Sequence, residues 1–296
     1  VISACETEVA IDHASVNWSR VVAAQYCVEQ TLRYEYDAPI RDLRHRLIVA
    51  PRRRHLDQQR LGNHLWSSAS GPLDLAVDAF GNDVASVWVA RVEREITFGL
   101  ESTILRDRRL GGDESRTRGE ALDPRWLAGG RLTRADDALL DAAATLRGEH
   151  PDPRTCAHAI VRFVHRHMTY TKKVTDVFTT ASTAFAMRRG VCQDFAHIAI
   201  AIARACGIGA RYASGHLLGE GATHAWVEFL IDGDGGPLVL SLDPTHCGET
   251  DFRYIVVAIG RDYDDVPPTS GVFTGDGHGT LHGRQRVSLT DVTYAA

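Results

Sequence analysis

The stretch GVCQDFAHIAIAIARACGIG, residues 190–209, decides how the rest of the chain is read. From Phe195 to Ala203 every position except His197 is apolar. A helix apolar on every side is a buried one, and this run is too short to cross a membrane. It therefore reads as an interior helix from Cys192 to Cys206, ended by Gly207-Ile208-Gly209. Cys192 opens it directly after Gly190-Val191, where unpaired backbone N–H groups and the helix dipole stabilise a thiolate. Ala196, Ala199 and Ala203 share its helix face, and all are small. A sheet can approach that face closely and bring a partner side chain onto the sulfur. Taken alone, Cys192 is equally well explained as a small buried apolar residue at a helix start.

Downstream, strands are expected at Arg211–Leu218, His224–Ile231 and Leu238–Asp243. Asp232-Gly233-Asp234-Gly235 are turn formers, so the last two runs should form an antiparallel hairpin with a four-residue loop. With Ile231 facing Gly236, His224 lies opposite Asp243, and opposed residues share a face with Cβ atoms about 5 Å apart. A carboxylate there would fix the imidazole tautomer and stabilise imidazolium. Nucleophile, base and orienting acid would then be Cys192, His224 and Asp243. Each of the last two alone reads more simply, His224 as a satisfied core histidine and Asp243 as a turn cap before Pro244. Their predicted pairing reverses that preference.

Upstream, residues 22–104 read as strands: Val22–Tyr36, Leu43–Pro51, Leu61–Ser70, Leu73–Phe80 and Val84–Phe98. Short strands at this spacing suggest a β-sandwich. The polar stretch Arg106–Gly119 reads as a boundary. Helices are expected from an N-cap at Thr133 to Gly148, from Asp152 to Met168, and from Ala181 to Arg189. Strand-like runs return at Tyr254–Ile259 and Gln285–Val292.

Composition limits the function classes. The chain has 296 residues, 44% hydrophobic and 24% charged, with a formal net charge of −5. No global basic field draws it to nucleic acid, and no apolar run is long enough for a membrane helix. The first twenty residues carry Glu6, Glu8 and Asp12 where a signal peptide needs a basic, then apolar, start. The chain begins at Val1, so a trimmed leader stays open. Six cysteines in a chain this long form no disulfide framework, and a cytoplasmic location is the expectation.

The strings GVCQDFAH (190–197), HAWVEF (224–229) and LDPTH (242–246), in that order and spacing, resemble the transglutaminase-like superfamily. They look most like its bacterial branch of cysteine proteases and amide acyltransferases. The segment IGRDYDDVPPTSGVF (259–273) resembles the piece that follows the core in that branch. The resemblance implies an α+β fold with a papain-like core, the Cys helix packed on an antiparallel sheet, preceded by a β-sandwich-like domain. Composition and patterning divide the chain into an extension (1–21), a β-rich domain (22–105), a linker (106–132) and a catalytic domain with a β-rich tail (133–296). The resemblance makes Cys192 the nucleophile, His224 the base and Asp243 the orienting acid. His246 stands where the branch more often has Asn, which leaves the triad intact but alters the wall of the site.

Other residues carry weaker expectations. Gln193, in the first turn after the cysteine, could help bind an oxyanion or simply suit the helix dipole. Trp226 and Glu228 alternate with His224 on one strand face; Trp226 could line the site or fill a core. His216 could edge the cleft. His197 reads as a buried structural histidine. His224, His246, Cys247, Cys192 and His216 are metal-ligand types without metal-site spacing, and no metal or cofactor is expected. Asp232-Gly233-Asp234 lacks the remaining ligands of a calcium loop. The Arg cluster Arg41, Arg44, Arg46, Arg52, Arg53 and Arg54 reads as a solvated strand edge.

The expected function is cysteine-dependent hydrolysis or acyl transfer at amide bonds of a peptide or protein substrate, leaning to a peptidase or amidase. The alternatives are a non-catalytic protein-binding module on the same fold, or a metal-dependent hydrolase. No nucleic-acid or membrane partner is expected, and nothing in the sequence sets the oligomeric state.

Overall fold

The computed structural model describes residues 10–110, 123–233 and 236–295. Seven strands come first: β1 (Val21–Tyr36), β2 (Ile40–Leu47), β3 (Arg54–His55), β4 (Gln58–Ser67), β5 (Asp74–Val77), β6 (Asp83–Val92) and β7 (Glu95–Asp107). The run expected as one strand from Val84 to Phe98 is two, because the chain reverses at Glu93-Arg94. No Gly or Pro marks that reversal. Strand β7 also continues into the stretch read as a linker, and residues 111–122 of that stretch lie outside the described residues.

The helical half follows: α1 (Asp137–Glu149), α2 (Pro153–His167), β8 (Thr169–Tyr170), α3 (Ala181–Met187), β9 (Arg189–Gly190) and α4 (Cys192–Ala205). The N-cap of α1 is Asp136, which accepts from the Leu139 N–H at 3.1 Å. Thr133, the expected cap, is buried and accepts from Arg204 at 2.7 Å instead. Helix α3 stops early because Arg188 turns left-handed at φ 56°, and Arg189-Gly190 then pair with Thr169-Tyr170. The last strands are β10 (Gly209–Leu217), β11 (Thr223–Gly233), β12 (Gly236–Asp243), β13 (Gly248–Glu249), β14 (Tyr254–Gly260), β15 (Thr269–Thr274) and β16 (Gly279–Tyr294).

The molecule is α+β. Five strands in the order β13-β12-β11-β10-β14 make the core sheet. Helix α4 lies between this sheet and α1, α2 and α3, and from Phe195 to Ala203 it is buried on all faces. The alanines at 196, 199 and 203 are fully covered, which is the close packing their size allows. The other half is a sandwich, with sheets β16-β1-β7-β4-β3 and β15-β2-β6-β5 enclosing Leu32, Ile40, Leu43, Val87, Phe98 and Leu100. The chain tail completes it: β16 pairs along the length of β1, and β15 pairs with β2. By pairing, the tail thus belongs with the first strands and not with the helices.

Two side-chain amides from the sandwich cover the free edge of β14. Gln58 exchanges hydrogen bonds of 2.8 Å with both backbone groups of Val256. Asn82 does the same with Ile259 at 2.8 and 2.9 Å. Each amide mimics a strand residue and satisfies an edge that would otherwise be left unpaired. Arg52, expected on a solvated edge, holds Asn82 at 2.6 Å. Deeper in this interface Glu228 accepts from Arg211 at 2.6 Å and bonds His55 at 2.7 Å. Burial pushes the Glu228 carboxyl up, and the His55 and Arg211 charges outweigh it, holding it well below the usual carboxylate range.

Cys27 is disulfide-bonded, while Cys156, Cys192, Cys206 and Cys247 are free. Among the described residues no helix is long and apolar enough to cross a membrane.

Candidate active site

The site lies where the start of α4 meets the near ends of β11 and β12. Helix α4 begins sharply because Asp194 reaches back to its own start. The Asp194 Oδ2 accepts from the Val191 N–H at 2.7 Å and from the Thr175 hydroxyl at 2.7 Å. Gly190 permits this approach, since a Cβ there would sit 2.3 Å from Asp194 Oδ2. The cap fixes the turn that presents Cys192, whose side chain is half-buried at the rim of the core.

The hairpin register differs from the expected one by two residues. Gly233 faces Gly236, and Val227 faces Leu242. Asp234 and Gly235, half of the expected four-residue loop, lie outside the described residues. A slip of one would have sent His224 and Asp243 to opposite faces, but a slip of two preserves the face. The two therefore meet diagonally, with His224 Nε2 2.7 Å from Asp243 Oδ2. The Cys192 sulfur lies near enough to the ring to help raise the His224 pKa. The structure thus brings Cys192, His224 and Asp243 together.

Asp243 is fully buried and crowded with donors. Its Oδ2 also accepts from the Tyr254 hydroxyl at 2.8 Å and meets His246 Nδ1 at 2.7 Å. Its Oδ1 accepts from the Thr245 N–H at 2.7 Å and the His246 N–H at 3.3 Å. Burial raises the Asp243 pKa, but the bonds to His224 and His246 prevail and hold it well below the usual carboxylate range. Burial lowers the His224 pKa, and here too the partners win: Asp243 and Cys192 together push it up to about 10. His246 is raised as well, through its bond to Asp243. The arrangement stabilises an imidazolium beside a sulfur, as an ion pair of thiolate and imidazolium requires.

The remaining expected residues are dispersed around this centre. Trp226 is buried, with its ring centroid 6.2 Å from that of His224, and it packs edge-on against Tyr254. Gly215 on β10 makes room, since a Cβ there would lie 2.8 Å from the Trp226 ring. Gln193 donates its amide to the Val177 carbonyl at 3.4 Å. His216 is buried and both its ring nitrogens lack a protein partner; burial lowers its pKa to about 4. His197 is fully buried and accepts from the Tyr263 N–H at 3.2 Å, as a structural histidine does.

Three neighbours escaped the sequence reading. Tyr254 comes from the opposite edge of the sheet, and no spacing signal ties it to Asp243. Glu220, in the turn before β11, sits 3.5 Å from His224 Nδ1 and 3.5 Å from His246 Nε2. Tyr170, ahead of α3, has its pKa raised by burial and by the charges of Cys192 and Glu220.

Comparison with known proteins matches the two halves separately. Residues 141–239 match the Transglutaminase-like superfamily, and residues 26–105 match the Bacterial transglutaminase-like N-terminal region. An uncharacterized protein of Mycobacterium leprae is 36% identical over 136 residues, 43% of this chain and 47% of that protein. An uncharacterized protein of Mycobacterium tuberculosis is 41% identical over 121 residues, 37% of this chain and 38% of that protein. The chain thus spans less than half the length of these curated relatives. Among solved structures, "a Putative Cysteine Protease from Cytophaga hutchinsonii" superposes with a TM-score of 0.73 at 21% identity. The match covers 92% of this chain and 93% of that one. At that identity the likeness is one of fold.

Proposed function

The chain belongs to the transglutaminase-like superfamily, and from that premise we propose that it performs cysteine-dependent hydrolysis or acyl transfer at amide bonds of a peptide or protein. One observation carries the proposal: the His224 imidazole is held by Asp243 at 2.7 Å, with Cys192 near enough to add to the rise in its pKa. Position, charge and hydrogen bonding all favour the thiolate–imidazolium pair that amide attack needs.

In this reading the Cys192 thiolate attacks the carbonyl carbon and the C=O pair moves onto oxygen. The helix start offers backbone N–H groups without intrahelical partners to that oxyanion. As the C–N bond breaks, the His224 imidazolium passes its proton to the departing amine, leaving a thioester on Cys192. His224, now neutral, takes a proton from water or from an acceptor amine, which attacks the thioester and returns the thiolate. Asp243 stays ionised throughout and holds the ring in place.

Water is the favoured acceptor. His246 and Glu220, beside His224, are 46% and 40% exposed, which favours water as the acceptor over an amine held in a water-excluded site. The protein is then a peptidase or amidase before it is a transglutaminase.

The test is labelling with an iodoacetamide probe near pH 6.5, followed by peptide mapping. Cys192 should label well ahead of Cys156, Cys206 and Cys247. Burial raises the thiol pKa of Cys156 and takes that of Cys206 up to about 12. Uniform labelling would make Cys192 an ordinary core residue and favour a binding module.

A further inference from the structure

We propose that Tyr254 is a positioning residue for the triad, and that the β-sandwich holds the reacting groups in place through it. The inference rests on reading Cys192, His224 and Asp243 as the reacting centre. Tyr254 opens β14 at one edge of the core sheet, while Asp243 ends β12, with β11 and β10 between them. The Tyr254 hydroxyl nevertheless donates to Asp243 Oδ2 at 2.8 Å. His224 Nε2 meets the same oxygen at 2.7 Å. Packing aims the phenol. Its ring meets the buried Trp226 edge-on, with centroids 5.3 Å apart, and its centroid lies 6.0 Å from that of His224.

The other donors leave one task to this hydroxyl. The N–H groups of Thr245 and His246, from the turn that follows Asp243, fix Oδ1. Oδ2 is shared between two imidazoles, those of His224 and His246. The phenol is the third partner of Oδ2, and it sets where that oxygen sits between the two rings. Burial and the Asp243 charge push the Tyr254 pKa up, so the hydroxyl remains a donor.

The sandwich grips the backbone that carries the phenol. Three strands of one of its sheets converge on residues 251–256. From β7, Arg106 donates to the Tyr254 carbonyl at 2.5 Å and to the Asp251 carbonyl at 2.7 Å. From β4, Gln58 stands opposite Arg106 in the ladder and brackets Val256 from both sides. From β1, the Tyr26 hydroxyl donates to the Phe252 carbonyl. Arg106 is itself fixed by Asp57 at 2.5 and 3.0 Å. The chain is thus pinned before, at and after Tyr254. A close-packed ring with few torsions transmits any shift of this backbone to its hydroxyl. The route runs from Arg106 and Gln58 through Tyr254 and Asp243 to His224.

The experiment follows His224 by NMR titration of the full chain carrying ¹⁵N-histidine, its signal assigned by its loss in His224→Gln. Iodoacetamide labelling of Cys192 near pH 6.5 runs alongside. Tyr254→Phe keeps the ring against Trp226 and removes only the hydroxyl. His224 should then titrate at lower pH than in the wild type, and Cys192 should label about tenfold more slowly, the worth of one hydrogen bond to a charged group. Arg106→Met keeps the stem and drops the bonds to Asp251 and Tyr254. It should shift both readouts in the same direction by a smaller factor, and should add nothing to Tyr254→Phe in the double variant, because both cut one link. Gln58→Leu takes its place if Arg106→Met does not fold, with circular dichroism checking each protein. Glu220 and His246, which also face His224, are the same in all of them. A merely structural contact would lower Tm and leave the His224 titration where it is.

A folded Tyr254→Phe protein with the wild-type His224 titration overturns the positioning role. So does a His224 that titrates higher, since the phenol would then only draw charge from the carboxylate. Additive effects of Arg106→Met and Tyr254→Phe, or a folded Arg106→Met protein with the wild-type titration, overturn the part given to the sandwich. A wild-type Cys192 that labels no faster than Cys156 or Cys206 counts against the nucleophile reading instead, and the His224 titration still decides the link.

Discussion

Asp243→Asn isolates the charge that supports the imidazole. The variant keeps the size of the side chain but cannot keep its hydrogen bonds. The carboxylate meets two imidazole nitrogens, a phenol and two backbone N–H groups. An amide offers one oxygen and one NH₂. If its oxygen stays with the Thr245 and His246 N–H groups, its NH₂ faces His224 Nε2. That nitrogen must then accept, and the ring proton moves to Nδ1, where it faces the sulfur and cannot act as base. The wild-type pKa of His224 is lifted from 6.5 to about 10 by Asp243 and Cys192 together. With the Asp243 charge gone the His224 pKa should fall toward its ordinary value, and Cys192 alkylation near neutral pH should slow. Turnover should fall further, by about 10³–10⁴-fold, since the tautomer is wrong as well as the charge. The assay is iodoacetamide inactivation from pH 5 to 9, with circular dichroism to confirm the fold. A folded Asp243→Asn protein with the wild-type alkylation profile would refute the claim that this carboxylate supports the pair.

Other perturbations probe the scaffold. Gly190→Ala forces a methyl against the Asp194 carboxylate and should lower stability by about 1–3 kcal/mol, read as a lower Tm. An unchanged Tm would mean that the Asp194 cap is not the tight constraint described. Glu228→Gln leaves Arg211 and His55 without their buried carboxylate and should cost about 3–5 kcal/mol at neutral pH. Because the folded Glu228 pKa is depressed, its contribution is present above about pH 4.5 and fades as pH falls. Denaturant midpoints of wild type and variant should therefore converge in acid; a gap that widens there would reverse the sign.

The sequence was most informative where one physical signal dominated. The helix at Cys192 was readable because nearly every side chain in it is apolar. The His224–Asp243 pairing survived a wrong loop length, since a register error of two residues leaves side chains on the same face. Local reading failed where partners are distant. Strand β16 looked like a tail of the helical half, yet its backbone pairs with β1 at the other end of the chain, from Val21 with Tyr294 to Tyr36 with Gly279. Asn82 and Gln58 carry no local signal of their role, and only the fold turns them onto the edge of β14. Tyr254 and Glu220 come to the site from a far strand and a loop, and pattern gives no access to either.

The central claim, covalent catalysis through Cys192, is tested most directly by trapping the thioester. The protein is mixed with an activated acyl ester, quenched in acid within seconds, and analysed by intact mass and peptide mapping. The account predicts one added acyl group per chain, on the peptide containing Cys192, released by hydroxylamine and missing from Cys192→Ala. An acyl group carried elsewhere, or a substrate turned over equally well by Cys192→Ala, would contradict it.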